Sequence, residues 1–210
     1  MDDYLLAAQI GRFLQISSGF FWTITYILVI VQGVKDRKVG IPVAAVCANI
    51  TWEALFLFVF PIEPVQIVIN AIWFLLDCVI LVLLLKYAKS LSPSPSLILN
   101  KYTVLLFGLV IAFLMNFAIT VEFHDMIGKY TAFGMNFMMS LLFIDMLLKH
   151  GTKGQSITIG YTKLIGTLCS SILFAFIYPD SMLLLTLFIL IFILDVAYII
   201  LLRSRLRIKV

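Results

Sequence analysis

The feature that most limits how this chain can fold is its division into seven apolar runs, each close to twenty residues long. They run from Ile16 to Val34, Ile41 to Phe60, Gln66 to Leu85, Tyr102 to Val121, Tyr130 to Leu148, Ile157 to Tyr178 and Met182 to Leu202. A run of about twenty apolar residues is what an α-helix needs to cross roughly 30 Å of hydrocarbon. Within hydrocarbon a spanning segment must also satisfy its own backbone hydrogen bonds, so helix is the state expected for each. Composition agrees: 63% of residues are hydrophobic, 12% are charged and the mean hydropathy is +1.13. Soluble domains carry about a quarter charged residues. The expected fold is therefore an all-α membrane protein, a single domain over 1–210 with seven transmembrane helices.

The punctuation between runs supports this division. Pro61-Ile-Glu-Pro64 cannot continue a helix, Pro179-Asp180 closes the sixth run, and Ser90-Leu-Ser-Pro-Ser-Pro-Ser96 is linker-like but too short to divide domains. Residues 1–15 begin acidic and lack a cationic n-region, which argues against a cleaved signal peptide and for a short amphipathic helix at the interface. Of the fifteen Lys and Arg, thirteen fall in the 1–2, 3–4 and 5–6 connections, their adjoining helix ends and the tail; only Arg12 and Lys129 lie on the other side. The positive-inside rule then puts the N-terminus outside or lumenal and the C-terminus in the cytosol. Cys47, Cys78 and Cys169 sit in apolar runs and are odd in number, so no disulfide framework is expected.

Four carboxyls remain inside apolar runs: Glu53, Asp77, Asp145 and Asp195. Ionisable groups at membrane depth are costly and mark function by default. Glu53 lies about twelve residues into its helix, roughly 18 Å along the axis. Asp77 and Asp195 lie on the order of 12–14 Å from the cytosolic ends of their helices, so Glu53 and Asp195 are expected at one depth. Asp145 is only about 6 Å from its end, within reach of water or of Lys149 at i+4. Asn49 lies one turn from Glu53 and Tyr198 at i+3 from Asp195; with Asn116 and Asn136 they are candidates for a polar cavity. Lys163 is an entry charge near the start of its helix, and no intramembrane Lys or Arg is expected in a position to neutralise these carboxyls.

A carboxyl without a cation in a low dielectric keeps its proton, which is the state a general acid needs. A proton-coupled carrier needs the same. The plainer alternative is hydrogen-bonded carboxyls that pin helices together, the expectation for Asp145 and half the expectation for Asp77. Trp52 and Trp73 are mid-span and suited to stabilising a cation over their π faces. Most of the eighteen Phe are expected to face lipid or pack the bundle. A weak internal echo favours three helical hairpins after a leading helix: an Asp closes an apolar run at Asp77, Asp145 and Asp195, and Tyr-Thr opens the fourth and sixth helices at Tyr102 and Tyr161. Repeated hairpins occur in transporters. No phosphate loop, metal-ligand spacing or nucleophile elbow is present, His124 and His150 stand at loop edges, and the seventh helix has no Lys for a retinal Schiff base.

Asp36-Arg37, Gly40-Ile-Pro42 and Asn49-Ile-Thr-Trp52-Glu53 together resemble the second-helix motif of the small integral-membrane terpene cyclases. These act in fungal meroterpenoid and paxilline-type indole-diterpene pathways and have bacterial relatives. Asn136 with Ser140, Gly154-Gln155-Ser156, and Leu194-Asp195 with Tyr198 are similar to later motifs of that family. The resemblance covers helices 2 to 7 and implies a class II cyclase needing no metal or other cofactor. In that family a Glu at the position of Glu53 and an Asp at the position of Asp195 protonate the epoxide or terminal alkene of a prenylated substrate. Asn49, Trp52, Trp73, Asp77, Asn116, Asn136 and Tyr198 would bind or orient it. The implied partners are a lipid-like prenylated aromatic or polyprenyl substrate and the bilayer, with no nucleic acid. The membrane would be the plasma membrane in a bacterium and the endoplasmic reticulum in a fungus. Tyr161-Thr-Lys163 departs from the pattern, which would place more aromatic residues there.

Overall fold

In a computed structural model, residues 2–88 and 100–207 are described, with side chains from Leu6 onward. The Ser/Pro stretch 90–96, together with Lys89 and Lys209, lies outside the described residues. The described chain folds as seven helices. They are α1 (Asp2–Asp36), α2 (Val43–Ala54), α3 (Pro64–Tyr87), α4 (Lys101–Glu122), α5 (Lys129–His150), α6 (Ile157–Ile177) and α7 (Met182–Arg207). All except α2 are long and apolar enough to cross a membrane; α2 with its continuation, Val43–Val59, is shorter. Their lipid-compatible outer surface is most evident on α4, where Leu106, Phe107, Val110, Ile111 and Leu114 are exposed.

Local chemistry sets the boundaries. Pro64 opens α3 at its first turn, where a missing N–H costs nothing. The Asn100 side chain accepts from the Tyr102 N–H to cap α4, and the Ser156 hydroxyl accepts from the Ile159 N–H to cap α6. Gly128 starts α5 with φ +68, and a Cβ there would collide with the rings of Phe56 and Trp52. Only glycine fits both the left-handed backbone and that close approach.

Two helices differ from expectation. The N-terminal segment is not a separate interfacial helix: α1 is continuous over 35 residues. At roughly 52 Å it is longer than the hydrocarbon is thick, and no proline interrupts it near Gln15. Its first turns stand against the start of α3, where Arg12 and Gln15 bond Glu63. The second run is helical as expected but changes pitch: Leu55–Val59 forms a π-helical turn, closed by the Phe60 N–H donating to the Leu55 carbonyl at 2.9 Å. Such turns recur at functional sites, and this one begins two residues after Glu53.

The helices α1, α3, α2, α5, α7 and α6 close a ring neighbour to neighbour, with α4 packed outside it on α2. The consecutive pairs α2–α3, α4–α5 and α6–α7 each touch, as three hairpins require, while α1 packs most extensively on α6. Towards the face that carries the C-terminus the ring is filled by Val46, Ile80, Leu84, Met139, Phe143 and Leu147. Towards the other face it is hollow.

Candidate active site

The hollow is a cavity of about 490 Å³, within the ordinary range for a small-molecule site, bounded by α1, α2, α3, α5 and α6. Its mouth lies at the starts of α1, α3 and α5 and the end of α6, where Arg12, Gln15, Glu63, Gln66 and Lys129 form a polar rim. Two ion pairs neutralise the rim cations. Arg12 Nη1 meets Glu63 Oε2 at 2.9 Å, and Lys129 Nζ meets Asp125 Oδ1 at 2.9 Å. Lys129 also lies 4.3 Å and 4.8 Å from the ring centroids of Tyr130 and Tyr178. Below the rim, the walls carry Phe133 and Phe174 in edge contact, then Trp22, Trp52 and Trp73.

Glu53 is at the deep end, 1% exposed. Its Oε1 accepts from the Tyr26 hydroxyl at 2.8 Å, and Tyr26 accepts in turn from Asn49 Nδ2 at 2.9 Å. With its own oxygen engaged by Asn49, the Tyr26 proton is directed at Glu53. Glu53 Oε2 has no hydrogen-bond partner in the protein. Rings surround this chain: the Tyr26 centroid is 6.0 Å from Trp22 and 6.2 Å from Trp73. The indole N–H groups are turned to fixed acceptors, Trp52 to Thr131 Oγ1 at 3.0 Å and Trp73 to Thr23 Oγ1 at 3.1 Å. That leaves the π faces for whatever occupies the chamber, the arrangement that stabilises a cation.

The sequence-derived candidates divide into two groups. Asn49, Trp52, Glu53, Trp73 and Asn136 line the cavity, and Asn136 also donates to Thr167 Oγ1 at 3.0 Å. Asp77 is fully buried behind Glu53, within its hydrogen-bonding reach. Asn116 is turned to α2, donating to the Ala48 carbonyl and Thr51 Oγ1, both at 3.1 Å, and so fastens α4 to the ring. Tyr198 donates to Gln155 Oε1 at 2.9 Å. Asp145 pairs with Lys149 at 2.8 Å, half-exposed, as its height on the helix implied.

Asp195 requires a correction to the expected electrostatics. It is not without a cation: Lys163 Nζ lies 2.7 Å and 2.8 Å from its two oxygens, and the Ser140 hydroxyl donates to Oδ1 at 2.7 Å. Lys163 and Asp195 are 2% and 3% exposed, a fully interior ion pair joining α5, α6 and α7. Nor do Glu53 and Asp195 share a hydrogen bond; Asp195 borders a second, apolar groove between α6 and α7. The missed signal was depth. Lys163 is about 9 Å into α6 and Asp195 about 10 Å from Leu202, where the apolar run of antiparallel α7 ends, so the two arrive at one level.

Tyr26 and Lys163 are the site residues that sequence reasoning passed over, the first read only as an aromatic of its span and the second as an entry charge. The motifs that suggested a family are joined to one another in space. Asp36 Oδ2 accepts from the Gly154 N–H at 2.7 Å, Ser140 binds Asp195, and Gln155 binds Tyr198. Among the described residues there is no group of three or more His, Cys, Asp or Glu arranged to hold a metal ion.

Fold and site together define an integral membrane protein of the helical class, with a buried carboxyl facing an aromatic-walled chamber. Comparison with known proteins is specific. The family model for Pyr4-like transmembrane terpene cyclases matches residues 2–205, and the chain belongs to that family of membrane-bound enzymes. It is similar to terpene cyclase macJ of Penicillium terrestre, 32% identical over 163 residues, which cover 75% of this chain and 63% of macJ. It is also similar to the Pyr4-family terpene cyclase mfmH of Annulohypoxylon moriforme, 29% identical over 185 residues, covering 85% of this chain and 76% of mfmH. Terpene cyclase penB of Penicillium crustosum is 23% identical over 173 residues, 80% of this chain and 71% of penB. No solved structure matches the chain. The resemblance first drawn from the motif around Glu53 thus holds at the level of the family.

Proposed function

We propose that the chamber takes a linear prenylated aromatic or polyprenyl-type substrate, tail first, and that Glu53 begins its cyclisation by protonation, without a metal ion. The observation that carries this reading is the Glu53 carboxyl at the closed end of the cavity, one oxygen held by Tyr26 and the other unengaged. The proton passes from Glu53 to the epoxide oxygen or to the terminal alkene carbon. Opening of the C–O bond, or addition to the double bond, leaves a tertiary carbocation that the next alkene attacks. Trp22, Trp52 and Trp73 lend their π faces to the migrating charge, and the dry walls keep water from ending the cascade early. Loss of a proton from the last cation restores neutrality, so the product is an isomer of the substrate.

The polar rim suits the polar head of such a substrate, which is why the prenyl end reaches the acid. The charge asymmetry supports a mouth on the outer or lumenal side, of the endoplasmic reticulum membrane in a fungal host or of the plasma membrane in a bacterial one. Asp195, expected to share in proton delivery, is assigned here to balance the Lys163 charge and to fix α5, α6 and α7. A proton-coupled carrier would need access from both faces. The packed layer of Val46, Ile80, Leu84, Met139 and Phe143 favours the one-sided chamber of a cyclase.

The test is to incubate membranes containing the protein with linear farnesyl- and geranylgeranyl-aromatics, with and without terminal epoxides, in the presence of EDTA. A cyclised product of unchanged mass, absent with Glu53→Gln, is expected. No conversion of any substrate by a folded protein that moves protons in liposomes contradicts the proposal.

A further inference from the structure

Asp77 is the one buried carboxyl that the mechanism above leaves without a task. It is on α3, fully buried, and neither of its oxygens has a hydrogen-bond donor. It does not line the cavity. A buried carboxylate with no donor and no cation is among the least tolerable groups in a protein interior, more so at membrane depth. The groups that face the pair are Tyr26 from α1, Asn49 from α2 and Cys78 beside Asp77 on α3. None of these is a cation, and the Lys163 charge is already taken by Asp195. Glu53, whose Oε2 is equally without a partner, is the carboxyl within hydrogen-bonding reach of Asp77.

Resting on the reading of Glu53 as the acid, we infer that Asp77 is its positioning residue: it stays neutral and donates its O–H to the Glu53 carboxyl. In that arrangement two of the three orphaned oxygens, Glu53 Oε2 and one oxygen of Asp77, are joined in one hydrogen bond. Tyr26 and Asp77 then hold Glu53 from two sides, and Glu53 points its own proton into the chamber. When that proton leaves for the substrate, the Glu53 carboxylate keeps two donors, one from each neighbouring helix. Both strengthen as negative charge develops, which is how preorganised donors lower a barrier. The proton released by the final cation returns to Glu53, so the pair needs no outside proton source within a turnover. Asp77 touches no substrate and acts only through Glu53.

The test compares Asp77→Asn, Asp77→Leu and Glu53→Gln in membranes, with thermal unfolding to show that each is folded. Asp77→Leu removes the donor and should lower kcat by about 10²-fold with KM unchanged, the scale of losing one such donor. Asp77→Asn retains an N–H donor and should fall between Asp77→Leu and wild type. Infrared difference spectra give a second readout independent of turnover: wild type should show two neutral carboxyl C=O bands. In Asp77→Asn one should be lost and the other displaced. A folded Asp77→Leu with wild-type kcat, or spectra with no neutral carboxyl at this pair, overturns the inference. Full activity in Glu53→Gln instead overturns the underlying reading of the acid, whatever Asp77 does.

Discussion

Tyr26 and Lys163 show what single residues contribute here. Tyr26→Phe deletes one O–H and leaves the ring, so the packing against Trp22 and Trp73 stays while Glu53 loses a fixed donor. Steady-state kinetics should show kcat reduced by about 10-fold or more with KM little changed, because the donor acts on the charged form of the acid. Lys163 and Asp195 are a different case. Removing one of them leaves a lone buried charge, a cost of about 3–5 kcal/mol, whereas replacing both by apolar residues is often neutral. Denaturation in detergent should therefore find Lys163→Met and Asp195→Leu each strongly destabilised and the double variant close to wild type. Turnover by the double variant supports a structural Asp195. A stable double variant with no turnover returns Asp195 to the chemistry.

At the scale of elements, the chain's helices were legible because twenty-residue apolar runs and their Pro, Gly and Ser boundaries are local signals. The π turn after Glu53 was not, since an apolar run reads the same whether its last turn is wound as α or as π. The same holds for α1: polar residues near Gln15 read as an interfacial lead-in, yet they bond Glu63 and Gln66 across α3 and the helix runs on. Gly128→Ala should lower the melting temperature by forcing a Cβ into Phe56 and Trp52 at a left-handed backbone position. The contact at the mouth should also respond to acid. Partial burial on its own would raise the Glu63 carboxyl, but hydrogen bonds from Arg12 and Gln15 and the Arg12 charge outweigh it and hold the group below its ordinary value. Stability from a depressed carboxyl is present above its unfolded value of about 4.3 and is lost as pH falls through the lower folded value. Hydrogen exchange in the first turns of α1 should accordingly rise below about pH 4 in wild type. In Glu63→Gln it should lack that step.

Across the whole molecule, depth was legible and azimuth was not. Counting residues along each helix put Glu53, Asp77 and Asp195 at comparable levels, and Lys163 was within reach of the same count. Which of them face one another depends on the order of helices around the ring, which hydropathy does not encode. The sequence pattern therefore offered Glu53 with Asp195, while the packed structure sets Glu53 beside Tyr26 and Asp77 and gives Asp195 to Lys163. The cavity itself, open at one face and plugged at the other, is likewise a property of the assembled ring. The measurement that bears most directly on Glu53 as the acid separates binding from chemistry in one variant. A prenylated aromatic turned over by wild type would be offered to folded Glu53→Gln, and both its dissociation constant and product formation followed. Binding within a few fold of wild type with no cyclised isomer is the expected result. Cyclisation by Glu53→Gln at the wild-type rate would contradict it.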